Sequence, residues 1–201
     1  MIENEAQEIE YFNNRSLKGH KSGWGSVGQW GELKRGMLDF IWPFQSMLDI
    51  GCGDMIYLSS FKPFVDNNFY YLGVDGSSDV ITKARRKYPS RGFFQSTISD
   101  MIKTDMNKSH EVIVCYDVLF HIIEDALYKN LLRWLFTSSA KHILLTYLRV
   151  DEKDHQASDK GHFIIRDFGK IPIPRRWTIR LEKRSDKKAR QRIALLSRTD
   201  G

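Results

Sequence analysis

The sequence predicts an α/β fold: a doubly wound, mostly parallel seven-stranded sheet with an antiparallel C-terminal hairpin. From residue 46 to residue 147, short apolar segments of strand length alternate with segments of helical periodicity. Near the C-terminus, segments 177–183 and 191–196 are predicted strands separated by a charged turn. We therefore divide the chain into an N-terminal helical or lid segment, 1–45, and one sheet-containing domain, 46–201.

Each predicted strand is a short run of mainly apolar residues. The run at 112–116 is apolar throughout, which is typical of a central strand in a parallel sheet. The predicted strands before the hairpin are 46–50, 70–74, 92–95, 112–116 and 142–147.

The helices between the strands are predicted from apolar spacing and from end signals. Ser77 or Ser78 caps a helix that runs to about Lys87 and that Pro89 terminates. The predicted helices are a polar helix within 1–22, then 33–41, 55–61 and 78–87, and one marked by Leu127, Leu131 and Leu135.

The segment from Met47 to Asp54 is a short apolar strand that runs into a turn with glycines at positions 51 and 53. The second strand ends on a carboxylate, Asp75. Glycine lets the backbone pass close to a ligand, and an acid at the next strand end accepts hydrogen bonds from ribose hydroxyls. The pattern therefore predicts a site for a nucleoside-containing cofactor.

The turn differs from two phosphate-binding motifs. A dinucleotide fingerprint has a third glycine where this chain has Ile56. Asp54 stands at the entrance of the following helix, where it suits a cationic ligand better than a phosphate. No Gly-Lys-Ser/Thr follows the turn, which excludes a phosphate loop.

Three ordered motifs resemble those of the class I S-adenosylmethionine-dependent methyltransferases: LDIGCGD at 48–54, YLGVDGS at 71–77 and VIVCYDVLFH at 112–121. The resemblance spans residues 22–147. The element Ser-Gly-Trp-Gly-Ser at 22–26 is similar to one in small bacterial and phage methyltransferase-like proteins. The resemblance implies a Rossmann-like methyltransferase fold with S-adenosylmethionine as the cofactor.

The resemblance also implies which residues hold the cofactor. The turn after the first strand would line the methionine and ribose end, and Asp75 would bind the ribose diol. Thr97 and Ile98 would flank the adenine, although the family often has Asp at the position of Thr97. The predicted cofactor-binding residues are Trp24, Asp49, Gly51, Cys52, Gly53, Asp54, Asp75, Gly76, Thr97, Ile98 and Tyr116.

Catalytic candidates follow the fourth strand, because ligands of open α/β sheets bind beyond the carboxyl ends of the strands. His121 is the candidate general base, since histidine takes a proton near neutral pH. Alternatively, His121 begins the next helix and bonds to backbone. Asp117 orients the cofactor ammonium or the acceptor, or it caps the strand end. The predicted acceptor wall consists of Trp30, Tyr147, Arg149 and Arg166.

Two further segments are candidates for contact with the acceptor. Segment 22–31 is rich in glycine and tryptophan, which predicts a mobile lid or, alternatively, a packed connector over the sheet edge. Segment 151–161 is a long polar loop that either contributes to the acceptor wall or is an ordinary surface insertion.

The charge of the 201-residue chain is unevenly distributed. The net charge is +6, but segment 166–201 alone contains twelve Lys/Arg and four Asp/Glu and carries +8. This basic segment holds an anionic substrate or a nucleic acid, or it is a hairpin whose charged edge prevents aggregation.

Composition also bounds the location of the protein. No apolar run reaches the ~18 residues that suggest a membrane span, and the polar N-terminus is not a secretory signal. We therefore expect a cytoplasmic protein in which Cys52 and Cys115 are reduced. The six histidines show no metal-binding spacing, so no metal is predicted.

The sequence thus predicts an enzyme that transfers a methyl group from S-adenosylmethionine to oxygen or nitrogen of a small polar molecule. The Asp-Pro-Pro-Tyr or Asn-Pro-Pro-Tyr signature of amino-directed nucleic-acid methyltransferases is absent after the fourth strand, where residues 116–119 are Tyr-Asp-Val-Leu. Two alternatives remain at this stage: an RNA- or DNA-directed methyltransferase that uses the basic segment, and a non-catalytic cofactor-binding protein.

Overall fold

A mixed sheet of seven strands organises the part of the chain that the computed structural model describes, which comprises residues 3–18, 28–148, 164, 166–184 and 191–199. The strand order is β3-β2-β1-β4-β5-β7-β6. The first five strands are parallel, and β7 lies antiparallel between β5 and β6. This arrangement confirms the predicted fold class. The strands are β1 Ser46–Ile50, β2 Tyr70–Asp75, β3 Gly92–Gln95, β4 Val112–Cys115, β5 His142–Leu148, β6 Trp177–Arg184 and β7 Gln191–Arg198.

Helices cover both faces of this sheet. The α-helices are α1 Glu5–Leu17, α2 Gly28–Ile41, α3 Lys62–Val65, α4 Ser78–Lys87, α5 Ile98–Met101 and α6 Asp125–Phe136. Short 3-10 helices span Ile56–Leu58, Met106–Lys108 and Phe168–Lys170. None of these described helices has the length and apolar character needed to cross a bilayer.

Two hydrophobic cores lie on opposite faces of the sheet. Successive residues of a strand face opposite sides, so Met47 joins one core and Leu48 joins the other. The core of Leu48 is filled by α6, whose Leu131 and Leu135 are fully buried, as their helical spacing predicted. The core of Met47 contains residues of α2 and α4 and several aromatic rings. Both faces are therefore buried, as a doubly wound sheet requires.

The predicted helix at 55–61 is wrong. Met55 adopts a left-handed backbone conformation with φ of 53°, which cannot continue a right-handed helix. A single 3-10 turn follows, and α3 begins separately beyond Phe61 with Pro63 in its first turn, where the missing N–H costs no helical hydrogen bond. The predicted helix at 78–87 is confirmed, and its N-cap Ser77 accepts a hydrogen bond from the backbone N–H of Val80 at 3.3 Å.

The order in which strands are added to the sheet reverses at β1, which pairs in parallel with β2 on one side and with β4 on the other. A reversal of this kind leaves a crevice beyond the carboxyl ends of the strands, which is where open α/β sheets bind ligands.

Candidate active site

A cavity of about 380 Å³ lies beyond the carboxyl ends of β1 to β4. It therefore occupies the crevice that the strand order creates. Among the predicted cofactor residues, Trp24 lies outside the described residues, and the other ten all line this cavity. They are Asp49, Gly51, Cys52, Gly53, Asp54, Asp75, Gly76, Thr97, Ile98 and Tyr116.

The turn after β1 depends on glycine at position 51. Gly51 has a φ of 66°, and a Cβ atom there would lie 2.4 Å from the Cγ2 atom of Val118. The backbone N–H groups of Gly51 and Cys52 both donate to the carbonyl oxygen of Val74, at 2.7 and 3.1 Å. These bonds hold the turn against the end of β2.

Asp75, at the end of β2, is fixed by two backbone donors. Its Oδ2 atom accepts from the N–H of Gly53 at 3.1 Å, and its Oδ1 atom accepts from the N–H of Ser77 at 2.9 Å. Burial raises the pKa of Asp75, and the two backbone hydrogen bonds oppose that rise. Because each carboxylate oxygen can accept about two hydrogen bonds, Asp75 keeps acceptor capacity for a pair of hydroxyls.

Asp49 is buried beneath the turn within a tyrosine pair. The hydroxyls of Tyr57 and Tyr71 donate to its Oδ2 atom at 2.7 and 2.8 Å. Burial raises the pKa of Asp49 to about 7, although both tyrosine bonds favour the charged form. Asp49 was predicted from the sequence, whereas Tyr57 and Tyr71 were not, because the two tyrosines come from different segments of the chain.

A lysine that was not predicted from the sequence also lines the cavity. Lys34, on α2, is only 2% exposed, and its Nζ atom lies 2.5 Å from Oδ2 of Asp117. It lies over the rings of Trp30 and Tyr116, with centroid distances of 5.8 and 5.4 Å. Burial lowers the pKa of Lys34, and the charge of Asp117 opposes that effect. The feature of the sequence that could have identified Lys34 is its position among the apolar, core-facing residues of an amphipathic helix.

Asp117 connects several elements around the cavity. Besides Lys34, its carboxylate accepts from the hydroxyl of Thr146 at 3.1 Å and from the side-chain amide of Gln191 at 2.7 Å. Its own backbone N–H donates to the hydroxyl of Thr146 at 2.5 Å, and its φ of 58° turns the chain sharply after β4. These contacts favour a positioning role for Asp117 over direct chemistry.

Helix α1 forms part of the cavity wall. Ile9 packs so closely over Gly76 that a Cβ atom there would lie 2.8 Å from it, and Asn13 accepts a hydrogen bond from the hydroxyl of Ser77 at 2.5 Å. The predicted lid was segment 22–31, of which residues 22–27 lie outside the described residues. Among the described elements, α1, which begins earlier in the chain, lines the cavity.

His121 faces the cavity from the turn after β4. Its Nδ1 atom lies 3.8 Å from Oε1 of Glu8 on α1, and the ring of Phe12 packs edge-on against it at 5.1 Å. The backbone N–H of His121 donates to the carbonyl oxygen of Val118, but α6 begins only at residue 125. His121 therefore precedes the helix and presents its imidazole to the cavity.

The three described members of the predicted acceptor wall, Trp30, Tyr147 and Arg166, are not among the residues that line this cavity. The hydroxyl of Tyr147 donates to Glu182 at 2.7 Å, beyond β5. The guanidinium of Arg166 donates to the carbonyl oxygens of Ile122 and Ile123, and it pairs with Asp125. Trp30 is buried on α2 against Lys34. Arg149 and the polar loop 151–161 lie outside the described residues.

Within the described part of the chain, no group of three or more His, Cys, Asp or Glu side chains is placed to hold a metal ion. Cys52 and Cys115 are both free and buried. Burial raises the pKa of each thiol, so both are protonated near neutral pH and serve as small apolar groups.

We predict that Lys34→Met destabilises the fold by about 3 kcal/mol, because it leaves Asp117 without its cationic partner. Urea denaturation measures the loss. Arg35→Met is the matched control, since Arg35 is a neighbouring cation on α2 that forms a more exposed pair with Asp39 and is expected to change stability by less than about 1 kcal/mol. Equal effects in the two variants would contradict this account of the buried pair.

A second prediction concerns pH. Burial and then the nearby charge of Glu5 raise the pKa of Glu8 from 4.5 to about 8. Between these values the unfolded chain releases a proton that the folded chain keeps, so this group lowers stability as pH rises through that window. Glu8→Gln removes the effect and should flatten the pH dependence of the free energy of unfolding, measured by urea denaturation. Glu10→Gln, an exposed acid on the same helix, should leave the slope unchanged. Parallel curves for wild type and Glu8→Gln would refute the assignment.

Solved structures of methyltransferases share this fold. Magnesium protoporphyrin IX methyltransferase from Synechocystis PCC 6803, with bound S-adenosylmethionine, is 15% identical, covers 99% of both chains and has a TM-score of 0.71. The N-methyltransferase NodS from Bradyrhizobium japonicum WM9, in complex with S-adenosylhomocysteine, is 13% identical over 98% of this chain and 100% of that chain, with a TM-score of 0.70.

A third similar structure is the 1,6-didemethyltoxoflavin-N1-methyltransferase of Burkholderia thailandensis, with its bound substrate and S-adenosylhomocysteine. It is 13% identical, covers 100% of this chain and 92% of that chain, and has a TM-score of 0.70. At these identities the likeness concerns the fold. A search of curated proteins found no match.

Residues 48–136 match the family model described as a methyltransferase domain. The matched segment contains the glycine turn, Asp75 and the stretch from β4 to α6, and these form much of the cavity wall. The match confirms the domain type that the three sequence motifs predicted. Residues 48–136 are therefore similar to a methyltransferase domain, and the whole described chain shares the fold of solved methyltransferases.

Proposed function

We propose that this protein transfers a methyl group to an oxygen or nitrogen atom of a small polar molecule. The observation that carries the proposal is the cavity of about 380 Å³, of which α1 forms part of the wall. Cavities of this size suit small ligands, whereas a polymer needs an open groove. The similar Burkholderia enzyme has 1,6-didemethyltoxoflavin bound, which is consistent with an acceptor of this class.

The residues of the cavity fit the cofactor. The turn from Asp49 to Gly53 is close enough to the cavity to line the methionine and ribose end, and Asp75 offers two fixed oxygens to a diol. Thr97 and Ile98 lie at the far end, where the base belongs. When bound, S-adenosylmethionine supplies an electrophilic methyl group on a sulfonium that is already a good leaving group. The protein therefore contributes chiefly alignment and exclusion of water.

We assign His121 as the base that takes the proton of the acceptor. Its imidazole faces the cavity, and Glu8 lies 3.8 Å from its Nδ1 atom. The ionised form of Glu8 stabilises the imidazolium that forms when the histidine accepts a proton, and because burial raises the pKa of Glu8 to about 8, this form becomes populated only as the pH approaches 8. Asp117 is assigned a positioning role, because Lys34, Thr146 and Gln191 already bond to its carboxylate.

Several described cations of the basic C-terminal segment have partners within the protein, which favours a small-molecule acceptor over a nucleic acid. Arg176 donates to the carbonyl oxygen of Phe136, and Arg192 pairs with Glu182. Strand β6 is the outer strand of the sheet, and the charges on its exposed residues protect that edge from pairing with other chains. The N-terminal segment 1–45 is correspondingly proposed as the cover of the acceptor site.

The experiment that tests the function has two stages. Calorimetry measures binding of S-adenosylhomocysteine, and turnover is then followed on a panel of phenols, sugars and amines with S-adenosylmethionine.

Asp75→Ala should weaken cofactor binding about 100-fold, since two hydrogen bonds to a carboxylate are lost. The exposed control Asp66→Ala should bind normally. Wild-type affinity in Asp75→Ala would refute the ribose assignment, and cofactor binding without turnover on any acceptor would favour a non-catalytic protein.

His121→Asn should lower kcat on the acceptor found in that panel by about 100-fold, because the proton acceptor is lost. Affinity for S-adenosylhomocysteine should stay unchanged, and the limb of the pH profile that reports the base should disappear. If kcat and its pH profile both match the wild type, His121 is a structural residue.

A further inference from the structure

The far end of the cavity, beyond Asp75, must receive the base of the cofactor if the ribose lies on Asp75. Its walls are largely apolar, with Val80, Ile98 and Met101 among them. Adenine also carries an exocyclic amino group, which is a hydrogen-bond donor and loses free energy when it is buried without an acceptor. The acceptors at this end therefore decide which base the site selects.

The two hydroxyls at this end already have local partners. The Thr97 hydroxyl accepts from the backbone N–H of Asp100 at 3.0 Å and donates to the carboxylate of Asp100 at 3.1 Å. The Ser96 hydroxyl donates to the carbonyl oxygen of Thr97 at 3.0 Å. Thr97 therefore serves as the N-cap of α5, which leaves it poorly placed to read the base.

Helix α1 brings a carboxylate to the same place. Oε1 of Glu5 accepts from the backbone N–H groups of Ile98 and Ser99, at 2.6 and 3.2 Å. Oε2 of Glu5 accepts from the hydroxyl of Ser99. These bonds fix the carboxylate at the cavity wall, which Glu5 also lines. Since a carboxylate has about four acceptor positions, these three bonds leave capacity for a ligand donor.

We propose that Glu5 selects adenine by accepting a hydrogen bond from its exocyclic amino group, so that α1 reads the cofactor as well as covering it. The inference rests on the proposed cofactor site. It makes base recognition and closure of the acceptor site one event, because Glu8 and Phe12 on the same helix contact His121. A cofactor with the wrong base then fails to hold α1 in place over the acceptor.

The test compares S-adenosylhomocysteine with S-inosylhomocysteine, in which an oxygen replaces the amino group, by calorimetry. The wild type should prefer the adenosyl compound at least tenfold, since Glu5 meets a donor in one and an acceptor in the other. Glu5→Ala should lose about tenfold in affinity for the adenosyl compound alone. Glu5→Gln should gain affinity for the inosyl compound, because its amide N–H₂ donates to the new oxygen.

Hydrogen exchange adds a readout of closure. S-adenosylhomocysteine should slow exchange of the α1 amides in the wild type and in the control Glu10→Gln, and it should do so less in Glu5→Ala. Failure of the wild type to bind S-adenosylhomocysteine would overturn the proposed function itself. Normal binding with an unchanged base preference in both Glu5 variants would overturn only the role of Glu5.

Discussion

The ion pair between Lys34 and Asp117 is the interaction on which the shape of the site depends most. It joins α2, which precedes the sheet, to the turn after β4 across 83 positions of sequence. Thr146 on β5 and Gln191 on β7 bond to the same carboxylate. A buried lysine is costly unless it is paired, so the energetic penalty of separating these elements fixes them around one carboxylate.

Asp49, Asp75 and Asp117 have different hydrogen-bond partners in the cavity, and these partners indicate different roles. Asp49 is held by two tyrosine hydroxyls, Asp75 by two backbone N–H groups and Asp117 by a lysine. Asp49, whose pKa burial raises to about 7, carries only part of a negative charge near neutral pH. Asp75 alone among the three combines a strand-end position with fixed oxygens directed by the glycine turn. This difference supports its assignment to the ribose.

Helix α1 connects the two ends of the site. Glu5 and Glu8 are three residues apart and lie on the same helical face, about 4.5 Å apart along the axis. Glu5 accepts a hydrogen bond from the backbone of Ile98 in the cavity wall, and Glu8 faces His121. Burial and the nearby charge of Glu5 raise the pKa of Glu8. The protonation of Glu8, which lies beside His121, therefore responds to the charge of Glu5, which lies at the adenine end of the cavity. A rigid helix is well suited to link the two because its side chains keep a fixed spacing.

The sequence by itself determined the strands of the parallel sheet, the glycine turn, Asp75 and the domain type, because each depends on local periodicity or on a backbone angle that glycine favours. It did not determine that Met55 interrupts a helix, that Tyr147 and Arg166 turn away from the cavity, or that Lys34 meets Asp117. The tertiary structure alone decided these points, and it placed Glu5 against Ile98 across 93 positions of sequence. Contacts between distant segments follow from how whole elements pack, and no local pattern of residues records which elements will meet.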